Sequence, residues 1–392
     1  MPETIAPKSD KQTAVAIAGC GAITAVGRGV EALRTALRTN ASGLRASARF
    51  NNPRFQSAVV GTALTGDCTD DPAFELATEA LAESRAAARE VLSQIPGERI
   101  ALVLATTKAN IAALERLMEG RPCSDAARRH LQGDLLAADL AAAHGAKGPV
   151  QCVSVACASG LAALQQGARL IRRGAADAVL VVGVDHLSAF VVAGFSSLKA
   201  LDPGGCRPFD RDRCGLSAGE AGAAMVLTRA ELSRPNAITI RGWATSNDAN
   251  HLTGPSRDGS GLAQAIHGAL AMANLRPEDI DYANAHGTGT PYNDAMESLA
   301  FRTVFDEAGP RVSGSKGMLG HTLGAAGVVE TIICTLAMQG HVLPGTPRLQ
   351  NPAEGAPAGL LAAPQPVVHL AHVLKVNTGF GGINGAIVLS HG

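Results

Sequence analysis

The chain has 392 residues, 46% of them hydrophobic but only 3% aromatic, and a formal net charge of zero. Such a length holds two domains or two fused halves around an extensive core, here packed with Ala, Val, Leu and Ile rather than with rings. Neutrality, one Trp and two Tyr argue against nucleic acid and against a polybasic membrane contact. No apolar run reads as long enough to span a membrane, and the N-terminus lacks a signal-peptide core.

Residues 1–13 are polar and are expected to form a disordered tail. AVAIAGCGAITAVG (14–27) reads as a buried strand running into a glycine turn, and 30–39 as a helix. Residues 71–95, rich in Ala, Glu and Arg, have helical periodicity. RIALVLATT (99–107) is a second buried strand, and 108–144 is mostly helical with a break near Pro122. VQCVSVAC (150–157) is a strand ending at a thiol, SGLAALQQGARLIRRG (159–174) a helix, AVLVVGVD (178–185) the next strand, and AGEAGAAMVLTR (218–229) a turn and strand. The pattern then restarts. A strand at 237–246 leads to a helix at 261–274, a strand at 280–290, a helix at 293–305, a small-residue helix at 325–339 and a closing β segment at 372–390.

The two halves, 14–235 and 236–392, echo each other. GEAGAAMVL (219–227) and GGINGAIVL (381–389) share a glycine turn before a strand. SGLAALQQGARLI and GAAGVVETIICTLAM are both small-residue helices following a loop. Long apolar strands alternating with helices predict a layered α/β fold with buried sheets, the small-residue helices lying between them.

Eight cysteines, Cys20, Cys68, Cys123, Cys152, Cys157, Cys206, Cys214 and Cys334, form no CxxC pair. Reduced thiols in a cytosolic protein follow. A free cysteine is usually a core residue, but Cys157 in VSVACASG ends a strand where a helix begins. There the helix dipole favours thiolate, and backbone N–H groups offer an oxyanion hole. His286 lies in NAHGTGT, among small and polar neighbours unlike those of a core histidine; Thr288 and Thr290 add hydroxyls that suit a substrate arm. Lys316 and His321 share GSKGMLGHTLGAAG, with Glu330 on the following helix within reach of the lysine. A P-loop would need GxxxxGK[ST], which is absent, and one Cys with two distant His is a poor zinc pattern. Asp294 and Glu297 read as acids complementing a helix N-terminus. A thiol with two imidazoles on glycine-rich turns suits covalent thioester chemistry.

Taken in order, ACASG, CRPFDRDRCGLSAGEAG, SNDANHLTGP, NAHGTGTPYND, SKGMLGHTLGAAG and NTGFGGINGA resemble the β-ketoacyl-acyl-carrier-protein synthases, elongating condensing enzymes of the thiolase superfamily. The resemblance runs from about residue 14 to the C-terminus. It implies a five-layered αβαβα fold of two pseudo-duplicated halves and a cytoplasmic, typically homodimeric acyltransferase without metal or organic cofactor. It implies that Cys157 accepts the acyl group, and that His286 and His321 assist malonyl decarboxylation. Lys316 would support them with Glu330 as its acidic partner. Phe380 would be the gatekeeper whose N–H completes the oxyanion hole with that of Cys157. Thr288 and Thr290 would hold the phosphopantetheine arm, residues 248–255 would form a mobile loop at the mouth, and Lys199 would dock the acyl carrier protein. Thr378 stands where many members carry an aromatic, and Asn293 replaces a usual glycine. Residues 50–148 match the family pattern poorly, which points to a specialised acyl substrate. Thiolase chemistry is disfavoured by the Lys316 motif. A non-elongating acyltransferase and one subunit of an obligate heterodimer are the remaining alternatives.

Overall fold

The computed structural model describes residues 14–64, 69–306 and 309–391. The expected tail (1–13) and Cys68 lie outside the described residues. The first half supplies β1 (Val15–Thr24), β2 (Ile100–Ala105), β3 (Val150–Val153), β4 (Ala178–Asp185) and β5 (Ala221–Arg229). The second supplies β6 (Ile238–Asn247), β7 (Tyr282–Ala285), β8 (Arg311–Gly314), β9 (His372–Gly379) and β10 (Ile383–His391).

The spatial order is β3-β2-β4-β5-β1 in one half and β8-β7-β9-β10-β6 in the other. β2 is parallel to β3 and β4, while β5 runs antiparallel to β4 and β1. β7 is likewise parallel to β8 and β9, and β10 antiparallel to β9 and β6. The second half therefore repeats the first, strand for strand. The echo between 219–227 and 381–389 is the equivalence of β5 and β10. The two sheets join where Val15 faces Ile240 and Ala16 faces Thr239. Even a bulge repeats: the register shifts between Ile17 and Gly19 on β1, and between Ile240 and Gly242 on β6. Both glycines lie under a helix. A Cβ on Gly19 would sit 2.2 Å from the Ser84 carbonyl oxygen, and one on Gly242 2.3 Å from that of Ala269.

The helices used below are α1 (Val30–Thr39), α2 (Pro72–Ala87), α3 (Gly133–Ala143), α4 (Ser159–Arg172), α5 (Ala189–Ser197), α6 (Ser260–Ala273), α7 (Pro291–Phe305) and α8 (Ala326–Gly340). α2 and α3 bury Leu76, Leu81, Leu136 and Leu140 against Leu102, Leu104 and Leu180 of the first sheet. α6 and α7 bury Ile266 and Phe301 against Val376 and Val388 of the second. α4 and α8 lie between the sheets, with Leu164, Val328 and Ile332 among Val103, Val181, Val373 and Ile387. These are the five layers of the expected αβαβα fold.

Small residues make the middle layer possible. A Cβ on Gly327 of α8 would sit 2.2 Å from the Leu161 amide nitrogen of α4, and one on Gly160 would lie 2.7 Å from the Gly327 nitrogen. The two helices meet backbone to backbone there. Gly327→Val is expected to cost about 3 kcal/mol or more. Gly340→Ala, where the nearest atom is 3.9 Å away, should change stability by about 0.5 kcal/mol or less. Thermal melts of the pair check this, and equal melting temperatures would refute the close-contact argument.

Two expectations need correction, the end of the strand at the thiol and the absence of a membrane-length apolar run. β3 ends at Val153 rather than at the thiol, because the chain leaves the sheet to turn into α4. Residues 108–144 are mostly helical with the expected break near Pro122, as Ile111–Met118, Asp125–Arg129 and α3. The segment Leu323–Gly340 is long and apolar enough to cross a membrane, contrary to the sequence expectation, but 89% of it is buried inside the molecule. Its apolarity on every side is that of a helix packed between two sheets.

Candidate active site

Cys157 sits on the turn between β3 and α4, immediately before the α4 N-cap residue Ala158. Ala156 has φ 49°, a left-handed conformation that costs energy for a residue with a Cβ. The Ser159 hydroxyl ties this turn, accepting from the Val155 N–H at 2.8 Å and donating to the Ala156 carbonyl at 2.6 Å. The second half has the same turn before α8, with Leu323 at φ 53°. His321 enters the site from that second turn. The duplication thus delivers nucleophile and imidazole to the middle of the molecule from equivalent places.

His321 Nε2 lies 2.9 Å from Cys157 Sγ, and the Leu323 N–H donates to His321 Nδ1 at 3.3 Å. Nδ1 is therefore the acceptor, and the proton sits on Nε2 facing the sulfur. His286 Nδ1 faces Lys316 Nζ at 3.1 Å and Asn377 Nδ2 at 2.8 Å. Two donors at that nitrogen again leave the proton on Nε2. The two rings meet edge to face, centroids 5.2 Å apart. Cys157, His286 and His321 line one cavity of about 500 Å³ with Thr288, Thr290, Lys199 and Phe380.

Burial, reinforced by Lys316, lowers His321 to about 3 and His286 well below its ordinary value, so both rings are neutral donors near pH 7. The sulfur departs from expectation. Burial pushes the Cys157 thiol up to about 11, outweighing Lys316, the Phe380 N–H and Lys108, which pull it down.

Lys316 and Glu330 lie behind the rings. Lys316 Nζ donates to Glu330 Oε1 at 2.6 Å and to the His286 carbonyl at 2.5 Å. Glu330 Oε2 receives Lys375 Nζ at 2.8 Å and Asn377 Nδ2 at 2.9 Å. Burial opposes ionisation of Glu330, yet Lys316 and Lys375 hold it down at about 2. Lys375 and Asn377 escaped the sequence reading.

Asp294 and Glu297 do something more specific than complement a dipole. Glu297 accepts from the amides of His286 at 2.5 Å and Gly287 at 2.8 Å. Asp294 accepts from Phe209 N at 2.7 Å and Gly289 N at 3.2 Å. Together they clamp the loop that presents His286. Burial raises Glu297 to about 7 against these amide contacts.

At the mouth, the Thr288 and Thr290 hydroxyls are 2.8 Å apart. Lys199 is exposed on the rim, at φ 53°. The loop 248–255 is tied through Asp248, which accepts from Asn384 at 2.7 Å and from the Ser256 amide at 2.9 Å. Phe380 packs 6.3 Å from Phe195. A Cβ on Gly379 would lie 3.2 Å from the Cys157 nitrogen, so glycine lets the two amide-bearing segments approach. The two residues that depart from the expected pattern touch each other: Thr378 Oγ1 donates to Asn293 Oδ1 at 2.7 Å. Cys214 is exposed and lines the same cavity.

Residues 69–233 match the family model "Beta-ketoacyl synthase, N-terminal domain", and 237–350 match "Beta-ketoacyl synthase, C-terminal domain". The 3-oxoacyl-[acyl-carrier-protein] synthase 2 of Vibrio cholerae is 31% identical over 95% of this chain and 98% of its own length. The chain belongs to the β-ketoacyl synthase family. It is by that membership an acyltransferase of the condensing type. The tetracenomycin polyketide synthase ketoacyl synthase alpha subunit of Streptomyces glaucescens is 38% identical over 63% of this chain and 61% of its own length. Among solved structures, a ketosynthase in complex with its chain length factor from Xenorhabdus doucetiae superposes with TM-score 0.87 at 29% identity, covering 98% of this chain and 100% of that one. The expected mismatch over 50–148 is corrected in part, since the family match begins at residue 69.

Proposed function

We propose that this ketosynthase performs a decarboxylative Claisen condensation between an acyl group held on Cys157 and malonyl-acyl-carrier protein. The carrying observation is the sulfur 2.9 Å from the Nε2 of His321, in a cavity that His286 also lines. In the first half-reaction a Cys157 Sγ–C bond forms while the donor thioester S–C bond breaks. The cysteine proton ends on the departing pantetheine thiol. His321 Nε2–H steadies the sulfur as charge gathers on it, and the amides of Cys157 and Phe380 receive the carbonyl oxygen.

In the second half-reaction the malonyl C–C bond to the carboxylate breaks and carbon dioxide leaves. The electron pair passes to the thioester oxygen as an enolate, held by the Nε2–H groups of His286 and His321. The enolate carbon attacks the acyl carbonyl, the Cys157 S–C bond breaks, the released sulfur takes one proton from solvent to become the thiol again, and the β-ketoacyl thioester leaves on the carrier. Lys316 and Glu330 orient His286. The steps balance without an external oxidant or reductant.

Thr288 and Thr290 hold the pantetheine arm, and Lys199 on the rim meets the acidic carrier protein. Residues 14–235 bring the nucleophile and 236–392 the histidines, in a cytoplasmic enzyme. A dimer is supported by β3, which ends its sheet, and by exposed Leu114, Leu117, Met118 and Phe190. A heterodimer with a second ketosynthase-like subunit is the second reading, because the Xenorhabdus doucetiae neighbour is such a complex. The Thr378–Asn293 pair makes the inner wall small and polar, in line with a specialised acyl substrate.

Intact-protein mass spectrometry after incubation with a panel of acyl-carrier proteins tests the function. A thioester adduct on Cys157 that malonyl-carrier protein then discharges is expected. No adduct from any donor, also with a copurified second subunit present, overturns it.

A further inference from the structure

Lys375 has no role in the mechanism above, yet it is fully buried in the middle of β9. Its ammonium makes three contacts. It pairs with Glu330 Oε2 at 2.8 Å and donates to the carbonyls of Ala285 at 3.0 Å and Asn284 at 3.3 Å. A buried lysine is costly unless every donor is used and its charge is matched. Here one carboxylate serves two lysines, because Lys316 already holds Glu330 Oε1 at 2.6 Å. Neutralisation alone would need one lysine, so the pair of cations leaves a net positive charge under His286.

The placement of that charge is informative. Ala285 immediately precedes His286, so Lys375 pins the strand end that carries the ring. By engaging Glu330 Oε2, it also fixes the carboxylate against which Lys316 and Asn377 are set. Both of those donors then face His286 Nδ1.

We propose that Lys375 is a positioning residue for decarboxylation and condensation: it clamps Glu330 and the Ala285 carbonyl, and its charge keeps His286 Nδ1 an acceptor for Lys316 and Asn377. Protonation at Nδ1 would set an N–H against those two donors and turn the ring from the enolate. The charged and titratable groups facing Lys375 are Glu330 and Cys334 on α8, Lys316 on the short helix Lys316–Leu319, Glu297 on α7, and the rings of His286 and His321. Those facing His286 are Lys316, Lys375 and His321, with Glu297 holding its amide. Burial and both lysines push the imidazole the same way, toward neutrality. The Lys375 ammonium touches Glu330 and the carbonyls of Asn284 and Ala285, next to His286 and away from the turn that carries Cys157, so its main effect falls on the second half-reaction.

This inference rests on the ketosynthase function, and the experiment separates the two. Carbon dioxide release from malonyl-pantetheine and acylation of Cys157 by an acyl-pantetheine are measured between about pH 5 and 8 for wild type, Lys375→Gln and Lys375→Arg. Glutamine keeps donors and loses the charge; arginine keeps both. For Lys375→Gln the acid limb of decarboxylation is expected to move up by about two pH units, a loss of about ten-fold at about pH 5. Acylation should stay within about two-fold of wild type, and Lys375→Arg should restore the wild-type limb. Superimposable pH profiles, or equal loss of both half-reactions in folded Lys375→Gln, overturn the inference. Should Lys375→Gln not fold, nitrogen NMR of histidine in the wild type decides. A neutral His286 protonated only on Nε2 down to about pH 5 supports the inference, and titration near the ordinary histidine value of about 6.5 overturns it. Wild type that neither acylates nor decarboxylates would instead sink the proposed function.

Discussion

Cys157→Ala is expected to abolish acyl transfer, by about 10⁴-fold or more, while the protein keeps its fold. The Cys157 sulfur is the thiol of this cavity wall that His321 faces, at 2.9 Å. Cys157 is 8% exposed, and the exchange removes one heavy atom, so the cost to stability should be about 1 kcal/mol. The turn that presents it does not depend on the sulfur, since the Ser159 hydroxyl and the Ala156 carbonyl tie it. Decarboxylation should behave differently. Without the sulfur, the His321 Nε2–H is released toward the cavity, and His286 keeps Lys316 and Asn377 at its Nδ1. The alanine variant should therefore still release carbon dioxide from malonyl-carrier protein. Cys157→Gln, whose amide resembles an acylated sulfur, should do so at least as well. Mass spectrometry and carbon dioxide release check both halves. An adduct that persists on the alanine variant would place the nucleophile elsewhere, with cavity-lining Cys214 the first alternative.

The site was legible where chemistry leaves a local mark. Cys157, His286, Lys316 and His321 stand on glycine-rich turns, and glycine there answers to real constraints: Gly287 and Gly320 have φ 49° and 75°. The duplication was legible in outline from two glycine-turn-strand segments, but not in detail. Repeated strand order and repeated bulges are long-range pairings that no window of sequence contains. α5 was missed because its segment, AFVVAGFSS, has no polar face to set a helical period. The partners of the histidines were invisible for a related reason. Asn377 reaches His286 from 91 residues away, while Glu297, only 11 residues from His286, looked like any acid opening a helix. Lys375 did leave a signal, a cation between Leu374 and Val376 in a strand buried on both faces. A charge in such a strand calls for a buried counter-charge, and Glu330 had been assigned to Lys316 alone. The thiolate expectation came from a dipole argument, which weighs only what favours charge. Burial weighs against it, and here burial wins.

The second large effect should divide the two histidines. His286→Ala is expected to cut decarboxylation by about 10²-fold to 10³-fold, the usual loss when one preorganised oxyanion donor goes, and to leave Cys157 acylation intact. His321→Ala should slow both half-reactions, because its Nε2–H faces Sγ as well as the enolate position. The asymmetry follows from geometry: only one ring touches the nucleophile. Equal and exclusive loss of condensation in both variants would contradict it. The pH dependence sharpens the test. With the thiol at about 11 and His321 at about 3, neither group changes charge near pH 7. Iodoacetamide alkylation of Cys157 should then rise about ten-fold per pH unit through the neutral range, as the small thiolate fraction grows. A plateau reached by about pH 8 would mean that the sulfur already rests as a thiolate. The same buried imidazoles govern acid stability. The unfolded chain takes up protons at His286 and His321 below the ordinary value of 6.5, while the folded chain resists them. At these two rings unfolding therefore binds protons, and their contribution to stability falls as pH drops below 6.5, opposed by Glu297, which at about 7 is protonated more readily in the folded chain. Replacing either ring with alanine removes its share of that slope. Chemical denaturation at acid and neutral pH would then show variant and wild type converging as the pH is lowered, whatever the variant has lost in catalysis.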